Sequence, residues 1–218
     1  NKMNKKIGVV ETMKTNYGKR VFNEIKENMI ENIEDISSLK TSNGNTQEKE
    51  RIGIQLIKSV FDKMELKYTE AGSQQSTDFR NVYKKTPSLN INIEIKKTDS
   101  FTIKLNDTLP RSNVFYIILH TGKEYKRKEK ENILPQIIFI GGFDLIKNDI
   151  YYLVEYKKGI EYYKNQWGRK TYDKENFANK LKYVSTYTRP NYTMNITHLL
   201  NSEQSVVLGV GAQHSQSV

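Results

Sequence analysis

The chain contains no cysteine. No disulfide framework can brace it and no thiolate can bind a metal, a composition that fits a reducing cytosol. Long apolar runs are missing too. Stretches such as Val114 to Leu119 fall far short of the ~20 residues a membrane-spanning helix needs. No signal-peptide pattern opens the sequence, so the expected location is cytoplasmic with no membrane partner. Glycine (12) and proline (4) are scarce beside abundant Lys, Asn, Ile and Tyr, a bias that AT-rich coding produces.

What is abundant is positive charge. A net charge of +10 and a pI near 9.4 create a field that favours polyanions, nucleic acid or an anionic surface. Hydrophobic content of 36% with 28% charged residues is lean, yet apolar periodicity recurs along most of the 218 residues, so a single globular domain over 1–218 is expected. No internal repeat of the solenoid kind is present.

Val21, Phe22, Ile25, Met29 and Ile33 recur at helical spacing between Gly18 and Asp35 and predict an amphipathic helix. After the polar loop "SLKTSNGNT", the ladder Ile52, Leu56, Val60, Met64 predicts a second helix from about Thr46 to Met64. Strands are expected in the hairpin "TDFRNVYKKTPSLNINIEIKK", then in "SFTIKL", "VFYIILHT" as the central strand, and "PQIIFIGG". Helices followed by a hairpin-led run of strands predict an α/β or α+β domain around a mixed sheet flanked by helices. From Gly122 to Pro190 there are 15 Lys/Arg against 9 Asp/Glu and 9 of the 14 tyrosines. Basic side chains interleaved with aromatic ones suit a nucleic-acid surface, and the plainer alternative is a surface hairpin with tyrosines packed on a sheet. The last stretch, "SVVLGVGAQHSQSV", reads as a terminal strand or a loose tail.

The hairpin holds two acids. In "LNINIEIKK" the isoleucines at 91, 93 and 95 point to one face, and Asn90, Asn92, Glu94 and Lys96 to the other. A turn centred on residue 86 sets Asp78 and Glu94 opposite each other, with Cβ atoms about 5 Å apart. Two carboxylates so close repel unless something positive lies between them. A hard cation such as Mg²⁺, held by two acids, a neighbouring carbonyl and waters, meets that need. Lys96 on the same face would then lie beside the metal-bound water. Such a site suits in-line attack on a phosphodiester.

Asp78 followed sixteen residues later by Glu94-Ile95-Lys96 resembles the PD-(D/E)XK nuclease superfamily, and the chain's size and N-terminal helices look like a type II restriction endonuclease. The resemblance covers roughly 46–142, the implied catalytic core, and leaves 143–200 as a DNA-contact or dimerisation region. It implies Asp78 and Glu94 as metal ligands, Ile95 as a ligand through its carbonyl, Lys96 as the catalytic lysine and Mg²⁺ as the cofactor. The motif's proline is replaced by Thr77. Many such enzymes draw a further acid from the preceding helix, and Glu50, with Glu48 close behind, is the candidate here. The activity implied is hydrolysis of double-stranded DNA at a short specific sequence in restriction-modification, leaving 5′-phosphate and 3′-hydroxyl ends. A homodimer that matches a palindromic site is the implied assembly.

For DNA contact, Gln74 and Gln75 in "AGSQQS" resemble minor-groove loops, Lys97 and Thr98 could hold the substrate backbone, and Arg111, Arg189 and Asn191 in turn-like segments are candidate base readers. Rival chemistries find little footing. The three histidines, at 120, 198 and 214, form no paired arrangement for an HNH-type centre. "GIEYYK" lacks the second half of a GIY-YIG signature, "HTGKEYK" lacks phosphate-loop spacing, and no nucleophile elbow occurs. The alternatives that stay open are a non-catalytic basic DNA-binding protein and a structure-selective repair or junction nuclease on the same scaffold.

Overall fold

The computed structural model describes residues 2–41, 44–72, 77–106, 109–125, 131–167 and 191–209. In chain order these form helices α1 (Lys2–Asn32) and α2 (Thr46–Lys63), then strands β1 (Lys67–Glu70), β2 (Phe79–Tyr83), β3 (Ile91–Thr98), β4 (Thr102–Asn106), β5 (Phe115–His120) and β6 (Gln136–Gly141). Helices α3 (Gly142–Ile146) and α4 (Ile150–Trp167) follow, then β7 (Asn191–Asn195) and β8 (Ser205–Val207). Short 3-10 turns occupy Ser37–Leu39 and Thr197–Leu199.

The protein is a mixed α+β fold. Its six-stranded sheet runs β1-β2-β3-β5-β6-β8, and every neighbouring pair is antiparallel except β3 with β5. A parallel pair cannot be closed by a tight turn. Here the connection passes through β4, which leaves the main sheet and pairs with β7 in a separate two-stranded one.

Three layers result. On one face α1 and α2 cover the sheet, burying Val21, Phe22, Ile25, Met29, Ile57, Val60 and Phe61 against Phe79, Val82, Ile91, Ile93, Ile117 and Leu119. Burial of side chains this size contributes roughly 1.5–3 kcal/mol each before entropy is counted. On the opposite face Ile103, Leu105 and Met194 of the small sheet, with Leu145 of α3, pack on Tyr116, Ile118, Ile138 and Ile140. Strands β5 and β6 are thus greasy on both faces, which accounts for their near-continuous apolar runs.

Several predicted features need revision. The first helix begins at Lys2 rather than near Gly18. Along helix α2, Val60 and Met64 of the predicted ladder are buried, and the inward face also takes in Gly53, Ile57 and Phe61, while Ile52 is 43% exposed. Gly53 makes this possible, because without a side chain the helix comes close to Leu119. The tyrosine-rich stretch from Ile150 to Trp167 is helix α4, not a surface hairpin. Asn191 opens strand β7 instead of lying in a turn. Residues 205–207 form the terminal strand that one reading of the tail allowed.

Candidate active site

Strands β2 and β3 form the expected hairpin, with Phe79 opposite Ile93 and Val82 opposite Ile91. One residue beyond the Phe79–Ile93 pair, Asp78 stands across from Glu94. Asp78 Oδ2 accepts a hydrogen bond of 2.7 Å from the backbone N–H of Ile95, which ties the carboxylate to the neighbouring strand. Glu94 Oε1 lies 2.6 Å from Lys96 Nζ, so the acid and the ammonium share one side of β3, as their i, i+2 spacing requires.

A second cation joins them. Arg111, on the loop before β5, places Nη2 3.7 Å from Glu94 Oε2 and donates to the hydroxyl of Thr77. Its own backbone N–H donates to the Tyr116 hydroxyl at 2.9 Å. Tyr116 neighbours Glu94 in the parallel β3–β5 register and is fully buried. Burial, with the nearby Glu94 charge adding to it, pushes the Tyr116 phenol up to about 12, so it stays neutral. Arg111, a candidate base reader by sequence, thus lies beside the acid pair.

Glu94 itself is closed off from solvent, only 4% exposed. Burial raises its pKa above the usual carboxylate value and the Asp78 charge raises it further, while Lys96 and Arg111 oppose the rise. Asp78 is raised for the same first reason, with its Ile95 hydrogen bond and Lys96 pulling the other way. Two acids held where the charged form is disfavoured resemble a site built to receive positive charge.

A cleft of about 660 Å³ opens beside this cluster, lined by Asp78, Ile95 and Lys96 on one wall and by Glu50, Gly53 and Ile54 of α2 on the other. Glu50 therefore faces the cleft that holds the hairpin residues, whereas Glu48, two residues earlier and so on another side of the helix, is not on its wall. Lys97 and Thr98 also line it. Lys97 Nζ donates to Thr41 Oγ1 at 2.6 Å, and Thr98 Oγ1 donates to the Thr102 carbonyl at 2.8 Å, bracing the β3–β4 turn. Lys104 and Asp99 line the cleft as well and were not anticipated. The signal for Lys104 was there in "TIKLN", where Ile103 and Leu105 face the core and the lysine between them must face away.

The other predicted contacts scatter. Gln74, Gln75 and Arg189 lie outside the described residues. Asn191 is bound at the far small sheet, where its carbonyl accepts from the Tyr156 hydroxyl at 2.8 Å and its N–H donates back at 3.1 Å. Among the described residues no group of three or more His, Asp or Glu side chains is gathered as a ready cation cage. Mg²⁺, however, is usually held by one or two carboxylates with waters and substrate oxygens completing its shell, a need that the Asp78 and Glu94 pair meets, with Glu50 on the lining of the same cleft.

No protein-family model, curated protein or solved structure matches the chain.

Proposed function

We propose that this protein is a Mg²⁺-dependent endonuclease of the PD-(D/E)XK kind, hydrolysing phosphodiester bonds of double-stranded DNA to 5′-phosphate and 3′-hydroxyl ends, as a type II restriction enzyme does. The observation that carries the reading is the meeting of Asp78, Glu94 and Lys96 at one end of β3, beside a cleft whose far wall bears Glu50. Asp78 and Glu94, with the Ile95 carbonyl and Glu50, are the groups that would hold the cation. When bound, Mg²⁺ supplies Lewis-acid polarisation and charge neutralisation for the transferring phosphate.

The rest falls to side chains. Lys96 holds the attacking water in place with an ammonium whose charge also favours hydroxide. Lys97 and Lys104, on the cleft wall, supply charge for flanking phosphates, and the +10 net charge draws the duplex in. Arg111 keeps Glu94 charged and aimed by bracketing it from the side opposite Lys96. Cutting both strands of a palindrome calls for two copies of the chain related by a two-fold axis.

The test is plasmid DNA incubated with Mg²⁺ and wild-type protein, Asp78→Asn or Lys96→Ala. Discrete fragments from the wild type and none from either variant support the reading. A second reading, a DNA-binding protein without catalysis, draws on the Lys96–Glu94 contact, because an ammonium seated on the acid already neutralises it. Duplex binding with no cleavage under Mg²⁺, Mn²⁺ or Ca²⁺ would favour that second reading.

A further inference from the structure

Strand β2 carries one residue more than either neighbour. Against β3, the register slips between Phe79–Ile93 and Val82–Ile91, so Arg80 and Asn81 together oppose Asn92. Against β1 it slips as well, between Tyr83–Lys67 and Arg80–Thr69. The surplus falls at Asn81, whose φ of 52° lies in the left-handed region. Asparagine is among the few residues other than glycine that enter that region readily. Its N–H donates to Asn92 Oδ1 at 3.1 Å. This is a β-bulge, one residue left-handed and two set against one.

The bulge decides which way Asp78 faces. Phe79 and Val82, three apart, both face the helical core, an impossible pairing in a regular strand of period two. Without the extra residue, the Val82–Ile91 register would continue to set Asp78 across from Ile95, on the helix-covered face. With it, Asp78 stands across from Glu94 and its carboxylate receives the Ile95 N–H. A one-residue slip moves a whole side-chain set to the other face, and here the slip is built in.

We propose that Asn81 is a positioning residue: its left-handed bulge turns Asp78 onto the face of Glu94 and Lys96 and so assembles the acid pair. The consequence for cleavage rests on the nuclease reading; the placement of Asp78 does not. Asn81 is itself exposed.

Hydrogen exchange at the Ile95 amide reads the placement directly, since that N–H is held by Asp78. Asp78→Ala gives the value for a lost bond. Asn81→Gly, free to adopt positive φ, should keep wild-type protection at Ile95. Asn81→Val, strained there, should speed exchange at Ile95 about tenfold or more towards the Asp78→Ala value, with Leu119 on the adjacent strand unchanged. Asn81→Ala, less strained, serves if the valine variant does not fold. In a plasmid assay where the wild type cuts, cleavage should fall in step with Ile95 protection and be rescued in Asn81→Gly. A folded valine or alanine variant with wild-type Ile95 protection would overturn the proposal, as would loss of protection in Asn81→Gly. If the wild type does not cut DNA, the nuclease reading fails while the exchange data still decide the role of Asn81.

Discussion

Asp78 shows how a single side chain can be costly to the fold and necessary to the site. Burial raises its pKa, so the folded protein binds that proton more tightly than the unfolded chain does. For an acid shifted upward, stability falls as pH rises through the folded pKa, and at neutral pH the carboxylate is a net cost. Asp78→Asn removes the charge and keeps an acceptor for the Ile95 N–H. It should stabilise the protein at pH 7 by about 1 kcal/mol in urea titrations and, on the nuclease reading, reduce cleavage by roughly 10²–10³-fold. His120 tilts the other way. It is fully buried, and burial lowers its pKa below the ordinary 6.5 despite opposing help from Ser100 and Asp99. The unfolded chain therefore takes up the proton first. Stability from this group is complete above about pH 6.5 and is lost as pH falls from there towards the folded pKa. Urea midpoints measured from pH 7.5 to 5 should decline in the wild type and decline less in His120→Asn, whose amide oxygen can still accept from the Gly122 N–H that Nδ1 now receives.

Among the elements, the loop that delivers Arg111 is packed closely against the start of α3. The Gly142 N–H donates to the Val114 carbonyl at 2.7 Å, and a Cβ on Gly142 would lie 1.9 Å from the Arg111 carbonyl oxygen and 2.6 Å from that of Val114. Both are backbone atoms with nowhere to go. Gly142→Ala should cost about 3 kcal/mol or more, seen in chemical denaturation, and on the nuclease reading any folded fraction should lose cleavage because Arg111 is pushed off Glu94. The hairpin, both N-terminal helices and β4 were legible because each carries a strong period, four-residue steps in α1 and alternation in β3, and β5 and β6 because each is a short continuous apolar run. Helix α4 was not. Its sequence "IYYLVEYKKGIEYYKNQW" scatters aromatic residues around the whole circumference, leaving Tyr151 and Tyr152 73% and 65% exposed, so no apolar stripe announced the helix. The facing of α2 was legible in part: Val60 and Met64 were read as inward and are buried, but the approach of Gly53 to Leu119 leaves no apolar signal in the sequence.

For the molecule as a whole, charge is the property that reaches furthest from the surface. If the +10 net charge serves duplex binding, affinity for any 30-base-pair duplex in Ca²⁺ should fall about a thousandfold between 50 and 200 mM salt, measured by fluorescence anisotropy; a flat profile would reduce the charge to compositional bias. Among the described residues no helix is long and apolar enough to cross a membrane. Composition by itself determined the excess of positive charge and the lack of any thiolate chemistry, because those depend only on which residues are present. Local spacing determined the hairpin and put Glu94 and Lys96 on one side of a strand, because that alternation is a property of a few consecutive residues. Only the tertiary structure decided that Glu94 is buried, that Arg111 meets it from a distant loop, that Glu50 rather than Glu48 faces the cleft, and that a bulge at Asn81 turns Asp78 to the right side. Those facts depend on contacts between residues far apart in the chain and on a single backbone torsion, and neither leaves a period in the sequence to be read.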